Sequence, residues 1–233
     1  MISHLNKEIP QGKRVMVTFG GGSVKKNGVY EQVKKALESF EVIEFWGIEA
    51  NPTVETLRKA IQLGKEKGVD FLLAVGGGSV LDGTKLIAAG LLYEGDAWEL
   101  VLQGRSASAV PMGTVLTLPA TGSEMNSGAV ISRKETAEKY PFYSKYPVFS
   151  ILDPTVTFTL PIHQVACGIA DTFVHVMEQY MTTPGQSRLM DRWAEGILYT
   201  LIEIAPDIIR KQDNYELMAE FMLCATMGLN GFI

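Results

Sequence analysis

The chain has 233 residues, 46% of them hydrophobic and 20% charged, with a formal net charge of −5 from 21 basic and 26 acidic side chains. Such a chain is too apolar for disorder, and its length suits one large domain or two modest ones. No basic excess exists to neutralise a phosphate backbone, so no nucleic-acid partner is expected, and no apolar run reaches the ~18 residues that a membrane span needs.

The polar start, MISHLNKEIPQGKR, lacks the apolar core of a signal peptide. Cys167 and Cys224 form neither a disulfide framework nor a C-x-x-C, which fits a reducing compartment, so a cytoplasmic protein is expected. In chain order, RVMVTF (Arg14–Phe19) reads as a short strand that breaks into Gly20-Gly21-Gly22-Ser23. A helix follows, with Val29, Val33, Ala36 and Leu37 on one face. EVIEF (Glu41–Phe45) reads as a second strand, and Asn51-Pro52 as a turn. Thr53 is placed to cap a helix running to about Gly68. FLLAV (Phe71–Val75) is continuously apolar, as a strand buried on both faces should be, and it breaks into Gly76-Gly77-Gly78-Ser79. The pattern then predicts a helix from about Val80 to Leu92, a strand at Met112–Leu118, and short strands at Val130–Ser132 and Val148–Leu152. Strands alternating with helices imply a mainly parallel sheet with helices on both faces. Beyond Pro161 the periodicity is helical throughout, with segments near His163–Met181, Ser187–Ile209 and Tyr215–Asn230. These patterns predict an α/β domain over residues 1–157 and a helical domain over residues 158–233. The apolar, glycine-containing end (Met227–Ile233) reads as a surface awaiting a partner, so a fragment of a longer chain is expected and a homodimer is possible.

The second glycine turn, Gly76–Ser79, joins the most apolar strand to a helix. Glycine lets the backbone approach a ligand closely, and the first N–H groups of a helix carry partial positive charge, so the turn can seat a pyrophosphate. Ser79 and Asp82 have capping-box spacing. A tight connection with no ligand is the competing reading, weakened by the second such turn at residues 20–23. The G-x-G-x-x-G fingerprint is absent, because Lys25 and Leu81 stand where its third glycine belongs. Residues 20–26 (GGGSVKK) contain no acid to hold a ribose 2′-hydroxyl. Ser23, Lys25 and Lys26 would instead welcome a 2′-phosphate, although two solvated lysines on a helical turn read equally well. The stretch TLPATGSEMN (Thr117–Asn126) is a third polar loop after a strand. Asp171 and His175 lie four residues apart on a helix, where one face can offer both a carboxylate and an imidazole to a cation. A hydrogen-bonded pair with no metal is the commoner meaning of that spacing.

Taken together and in order, GGGSVK (20–25), GGGSVLDGTK (76–85), TLPATGSEMN (117–126), LDP (152–154) and DTFVHVME (171–178) resemble the iron-containing (group III) alcohol dehydrogenases. The likeness is greatest to their NADPH-dependent aldehyde reductase and butanol dehydrogenase branch. The resemblance implies a Rossmann-like dinucleotide-binding domain, then the start of an all-α metal domain of the dehydroquinate synthase-like type, with the active site between them. It implies that Gly77, Gly78, Ser79 and Asp82 handle the pyrophosphate. Thr117, Thr121, Ser123 and Asn126 would line the phosphates and nicotinamide. Lys139 would reach a ribose, and Gly21 and Ser23 would lie near the adenosine ribose with NADP(H) as cofactor. Asp171 and His175 match two of four ligands to Fe²⁺ or Zn²⁺ and would serve catalysis through the metal; the family's other two ligands are histidines on later helices. The implied reaction is hydride transfer between the nicotinamide and a short-chain aldehyde or primary alcohol. The alternatives are a glycerol-dehydrogenase-like or dehydroquinate-synthase-like enzyme, and a dinucleotide-binding fragment without catalysis.

Overall fold

The computed structural model describes residues 2–182, 185 and 187–233. The chain forms two compact units, residues 1–116 with 127–151, and residues 117–126 with 152–233. The polar loop at 117–126 thus groups with the helices, although it leaves a strand of the sheet.

In the first unit, a short α1 (Leu5–Glu8) precedes β1 (Arg14–Phe19), α2 (Ser23–Lys26), α3 (Val29–Ala36), β2 (Glu41–Phe45), α4 (Val54–Lys67), β3 (Phe71–Gly77), α5 (Gly78–Gly90), α6 (Ala97–Leu102), β4 (Met112–Leu118), β5 (Gly128–Arg133), β6 (Glu138–Tyr143) and β7 (Phe149–Leu152). The main sheet has the order β2-β1-β3-β4-β7, and β1 runs parallel to both neighbours. Residues 71–76 of β3 are all buried, as expected for a strand covered on both faces, whereas β2 lies at the sheet edge with three of its five residues exposed. Helix α4 turns Val54, Leu57, Ala60, Ile61 and Gly64 inward, the spacing of one helical face.

β5 and β6 form a separate antiparallel ribbon. The sequence pattern missed β6, because EKYPFY is charged, contains Pro141 and buries only Phe142. It also missed α6, a six-residue helix started by the Asp96 side chain, which accepts from the Trp98 N–H.

The second unit is helical beyond Pro161, with α7 (Ile162–Thr182), α8 (Arg188–Arg210) and α9 (Tyr215–Met227). Its core gathers Val165, Ile169, Leu201, Ile208, Met218 and Phe221 from all three helices. Asn214 caps α9 by accepting from the N–H groups of Glu216 and Leu217.

Two expected caps are corrected. Helix α5 begins at Gly78, so Gly77 is its N-cap and Ser79 is already the second helical residue, past the position from which a side chain caps. Its expected partner Asp82 instead accepts from the Val130 N–H at 2.9 Å, tying α5 to β5. Thr53 does occupy the N-cap of α4, but its hydroxyl donates to Glu49 Oε1 at 2.6 Å.

Candidate dinucleotide and metal site

The order of the sheet places the two glycine turns. From β1 the chain crosses to β2 on one side, and then to β3 on the other. In an open α/β sheet such a reversal opens a crevice at the carboxyl ends of the two strands, where ligands bind. Gly20–Gly22 leaves β1 and Gly76–Gly78 leaves β3 at that point, since Phe19 pairs with Val75. Both turns close over the first turn of α5. A Cβ on Gly76 would lie 2.6 Å from Val80 Cγ2, and one on Gly20 would lie 3.5 Å from the same methyl and 3.3 Å from the Ile48 carbonyl oxygen. Gly22 has φ of +99°, a left-handed conformation that side chains resist. Helix α5 thus starts where the strands diverge, and its first N–H groups have no carbonyl four residues back to bond.

Gly21 and Ser23 are exposed beside the first turn, and Ser23 opens α2. Lys25 and Lys26 are exposed on the same short helix. Lys139 sits on β6, where its Nζ donates to Asn51 Oδ1 at 2.8 Å, in the turn after β2.

The remaining expected residues fall in the second unit. Thr117 and Ser123 are buried, Gly122 adopts φ of +59°, and the Ser123 N–H donates to Thr121 Oγ1 at 3.3 Å. The loop is fastened to the helices by contacts that motif reading had not singled out. Thr172 Oγ1 lies 3.2 Å from the Ala120 carbonyl, Asn126 Nδ2 donates to the Leu229 carbonyl at 3.0 Å, and Thr226 Oγ1 donates to Glu124 Oε1 at 2.5 Å. A Cβ on Gly168 would stand 2.6 Å from the Pro119 carbonyl oxygen. Gly168 and Thr172 are small residues one turn apart on α7, a signal in the sequence that could have found this docking and was not read. The docking turn of α7 also carries Asp171.

Asp171 Oδ2 and His175 Nε2 are 3.5 Å apart on α7, with side chains 47% and 28% exposed. Two ligands bonded at ~2.1 Å to one tetrahedral cation stand about 3.4 Å apart, so the spacing fits a shared metal, and an oxygen–nitrogen pair suits Fe²⁺ or Zn²⁺. The Asp171 carboxylate raises the His175 pKa above the ordinary imidazole value, burial works against it, and the charges of Asp171 and Glu178 add to the rise. No cluster of three or more His, Cys, Asp or Glu side chains suited to a metal occurs among the described residues.

The family model "Iron-containing alcohol dehydrogenase" matches residues 1–154. The chain is 54% identical to the NADPH-dependent aldehyde reductase YqhD of Escherichia coli, a match covering all of this chain and 62% of that protein. It is 47% identical to a probable NADH-dependent butanol dehydrogenase of Bacillus subtilis, again covering all of this chain and 62% of the relative. Among solved structures, E. coli YqhD superposes with a TM-score of 0.96 over 99% of this chain and 61% of that one. The NADH-dependent butanol dehydrogenase A of Thermotoga maritima superposes with a TM-score of 0.94 at 41% identity, over 99% and 59%. The chain therefore spans about three fifths of the length of these relatives. With its glycine turns at the sheet's switch point and an aspartate–histidine pair on the first long helix, it belongs to the iron-containing alcohol dehydrogenases.

Proposed function

We propose that this chain is the dinucleotide-binding part, and the first part of the metal-binding helices, of an NADP(H)-linked aldehyde reductase acting on short-chain aldehydes and primary alcohols. The observation that carries the reading is the pair of glycine turns at the β1/β3 switch point, one opening a helix and the other free of acids. In this reading residues 1–157 hold the dinucleotide and residues 158–233 begin the metal domain. The amides of Gly77, Gly78 and Ser79 take the pyrophosphate, with Asp82 fixing the helix behind them. Gly21 and Ser23 meet the adenosine ribose, and Lys139 meets a ribose hydroxyl. Thr117, Thr121, Ser123 and Asn126 orient the phosphates and the nicotinamide. Asp171 and His175 hold an Fe²⁺ or Zn²⁺ ion. When bound, the metal polarises the substrate carbonyl and the nicotinamide supplies the hydride. The protein contributes position, fixed dipoles and exclusion of water. A cytoplasmic location and a homodimer complete the proposal.

NADPH oxidation by the intact protein, with butanal as substrate and with added Fe²⁺ or Zn²⁺, tests it. Metal-dependent turnover is expected. No turnover with any aldehyde of two to six carbons, in the presence of either metal, overturns it. For residues 1–233 taken alone, the half-complete metal pair favours a second reading, dinucleotide binding without catalysis. Calorimetry then gives heat with NADP⁺ and only weak heat with Zn²⁺.

A further inference from the structure

The edge of the sheet beside the first glycine turn holds a cluster of which the dinucleotide reading uses only Lys25. Trp46, just beyond β2, stacks on Phe19 with ring centroids 4.1 Å apart and planes 15° apart. The Lys25 ammonium stands 4.1 Å from the centroid of the same indole and 5.3 Å from that of Tyr30. Phe19 and Lys25 cannot share one face of the ring, so the indole is sandwiched between them. Its edge is used as well, because Trp46 Nε1 donates to Glu44 Oε2 at 2.7 Å. Tyr30 OH donates to the other oxygen, Glu44 Oε1, at 2.9 Å.

Glu44 lies near the carboxyl end of β2, the region from which a dinucleotide fold ordinarily offers an acid to a ribose 2′-hydroxyl. Here each of its oxygens already accepts a hydrogen bond from an aromatic residue. Lys25 lies two residues beyond Ser23, on the helix that the first glycine turn opens. The indole face draws the ammonium by its quadrupole and leaves the donors that point away from the ring for a ligand.

We propose that Lys25, positioned by Trp46, together with Glu44, engaged by Tyr30 and Trp46, makes the crevice select dinucleotides carrying a 2′-phosphate over those with a free 2′-hydroxyl. The inference rests on the dinucleotide reading above and assigns its cofactor preference to these four side chains. Trp46 and Tyr30 are positioning residues, and Lys25 is the group that meets the phosphate.

Calorimetric titration of the chain with NADP⁺, NAD⁺, 2′,5′-ADP and 5′-ADP tests the assignment. The wild type should prefer the 2′-phosphorylated member of each pair. Lys25→Ala should weaken NADP⁺ about tenfold, the worth of one charge-assisted contact of ~1.4 kcal/mol, while NAD⁺ changes less than about twofold. Lys25→Arg should keep the preference. Tyr30→Phe with Trp46→Phe keeps rings beneath Lys25 but frees both Glu44 oxygens, so NADP⁺ should weaken and NAD⁺ tighten, each by about threefold, or ~0.7 kcal/mol. A merely structural role would shift the melting temperature and leave the NADP⁺ to NAD⁺ ratio unmoved. If the wild type binds neither dinucleotide, the dinucleotide reading falls and takes this inference with it. If the wild type binds both but Lys25→Ala weakens them equally, or changes neither, only this inference falls.

Discussion

Thr18 on β1 and Thr84 on α5 share a hydrogen bond of 2.6 Å in the core beneath the two glycine turns, and both side chains are fully buried. Thr84 Oγ1 also lies 2.7 Å from the Val80 carbonyl, so Thr84 donates backward along its helix and Thr18 donates to Thr84. The relay fixes the start of α5 against the neighbouring strand. Thr84→Val should cost about 1–3 kcal/mol, because it leaves the Thr18 hydroxyl buried with only a 3.4 Å contact to the Leu73 carbonyl. Thr18→Val with Thr84→Val should cost less than the sum of the two single changes. Urea unfolding of the four proteins of the cycle measures the difference.

The aspartate beside His175 sets a pH response. Because the folded imidazole titrates above its ordinary value, its ion pair contributes stability that is fully present below the unfolded pKa of about 6.5 and is lost as pH rises through the folded one. Asp171→Asn should move the His175 titration seen by NMR to lower pH. A protonated imidazole cannot ligate, so Zn²⁺ should bind more tightly at pH 8 than at pH 6. Loss of that binding in His175→Ala would show the ion sits at this pair.

Asp96 carries a cap and an ion pair together. It accepts from the Trp98 N–H at 3.0 Å and from Arg58 Nε and Nη2, each at 2.7 Å. The Arg58 hydrogen bond holds its carboxyl below the usual range, against the opposing effect of burial. Its stabilisation is therefore present above the unfolded carboxyl pKa and disappears as pH falls through the lowered folded value. The paired side chains are 35% and 42% exposed, so solvent screens most of the ionic part. Asp96→Ala should cost about 1 kcal/mol at pH 7, chiefly through the lost cap, and markedly less at pH 2, as read by thermal unfolding at both values.

The two cysteines should separate chemically. Cys167 is exposed on α7 with its Sγ 3.6 Å from His163 Nε2, whereas Cys224 is buried and its thiol is pushed up to about 11, first by burial and then by Glu220. At pH 8 only about one Cys224 in a thousand is thiolate. Iodoacetamide followed by mass spectrometry should label Cys167 within minutes and Cys224 only after urea unfolds the helices.

Much of the architecture was legible because burial imposes pattern. The continuous apolar run at Phe71–Val75, the alternation of strands with helices, and the helical periodicity after Pro161 all reappear in the fold. The elements that escaped were those whose reason to form lies elsewhere in the chain. β6 exists because β5 pairs with it along its whole length, and no hydrophobic alternation announces it. The start of α5 was misjudged because Gly77 and Gly78 are backbone-permissive, so the helix could begin two residues before its first apolar side chain. The Asp171/His175 pair followed from spacing alone. The seat of the Thr117–Asn126 loop did not, since it depends on a glycine and a threonine of α7 more than forty residues away. Glu44, Trp46 and Lys25 form a cluster only once the end of β2 is folded beside the first turn.

The Thr117–Asn126 excursion makes the polypeptide pass between the two units three times, at residues 116–117, 126–127 and 151–152. One nick anywhere in the chain therefore cannot yield a self-contained sheet and a self-contained helical body. A truncation at residue 152 would strip Pro119 from its seat on Gly168 and Asn126 from Leu229, leaving the helices without their own padding. Swapping modules with a relative thus requires exchanging two separate stretches at once, 117–126 and 152–233.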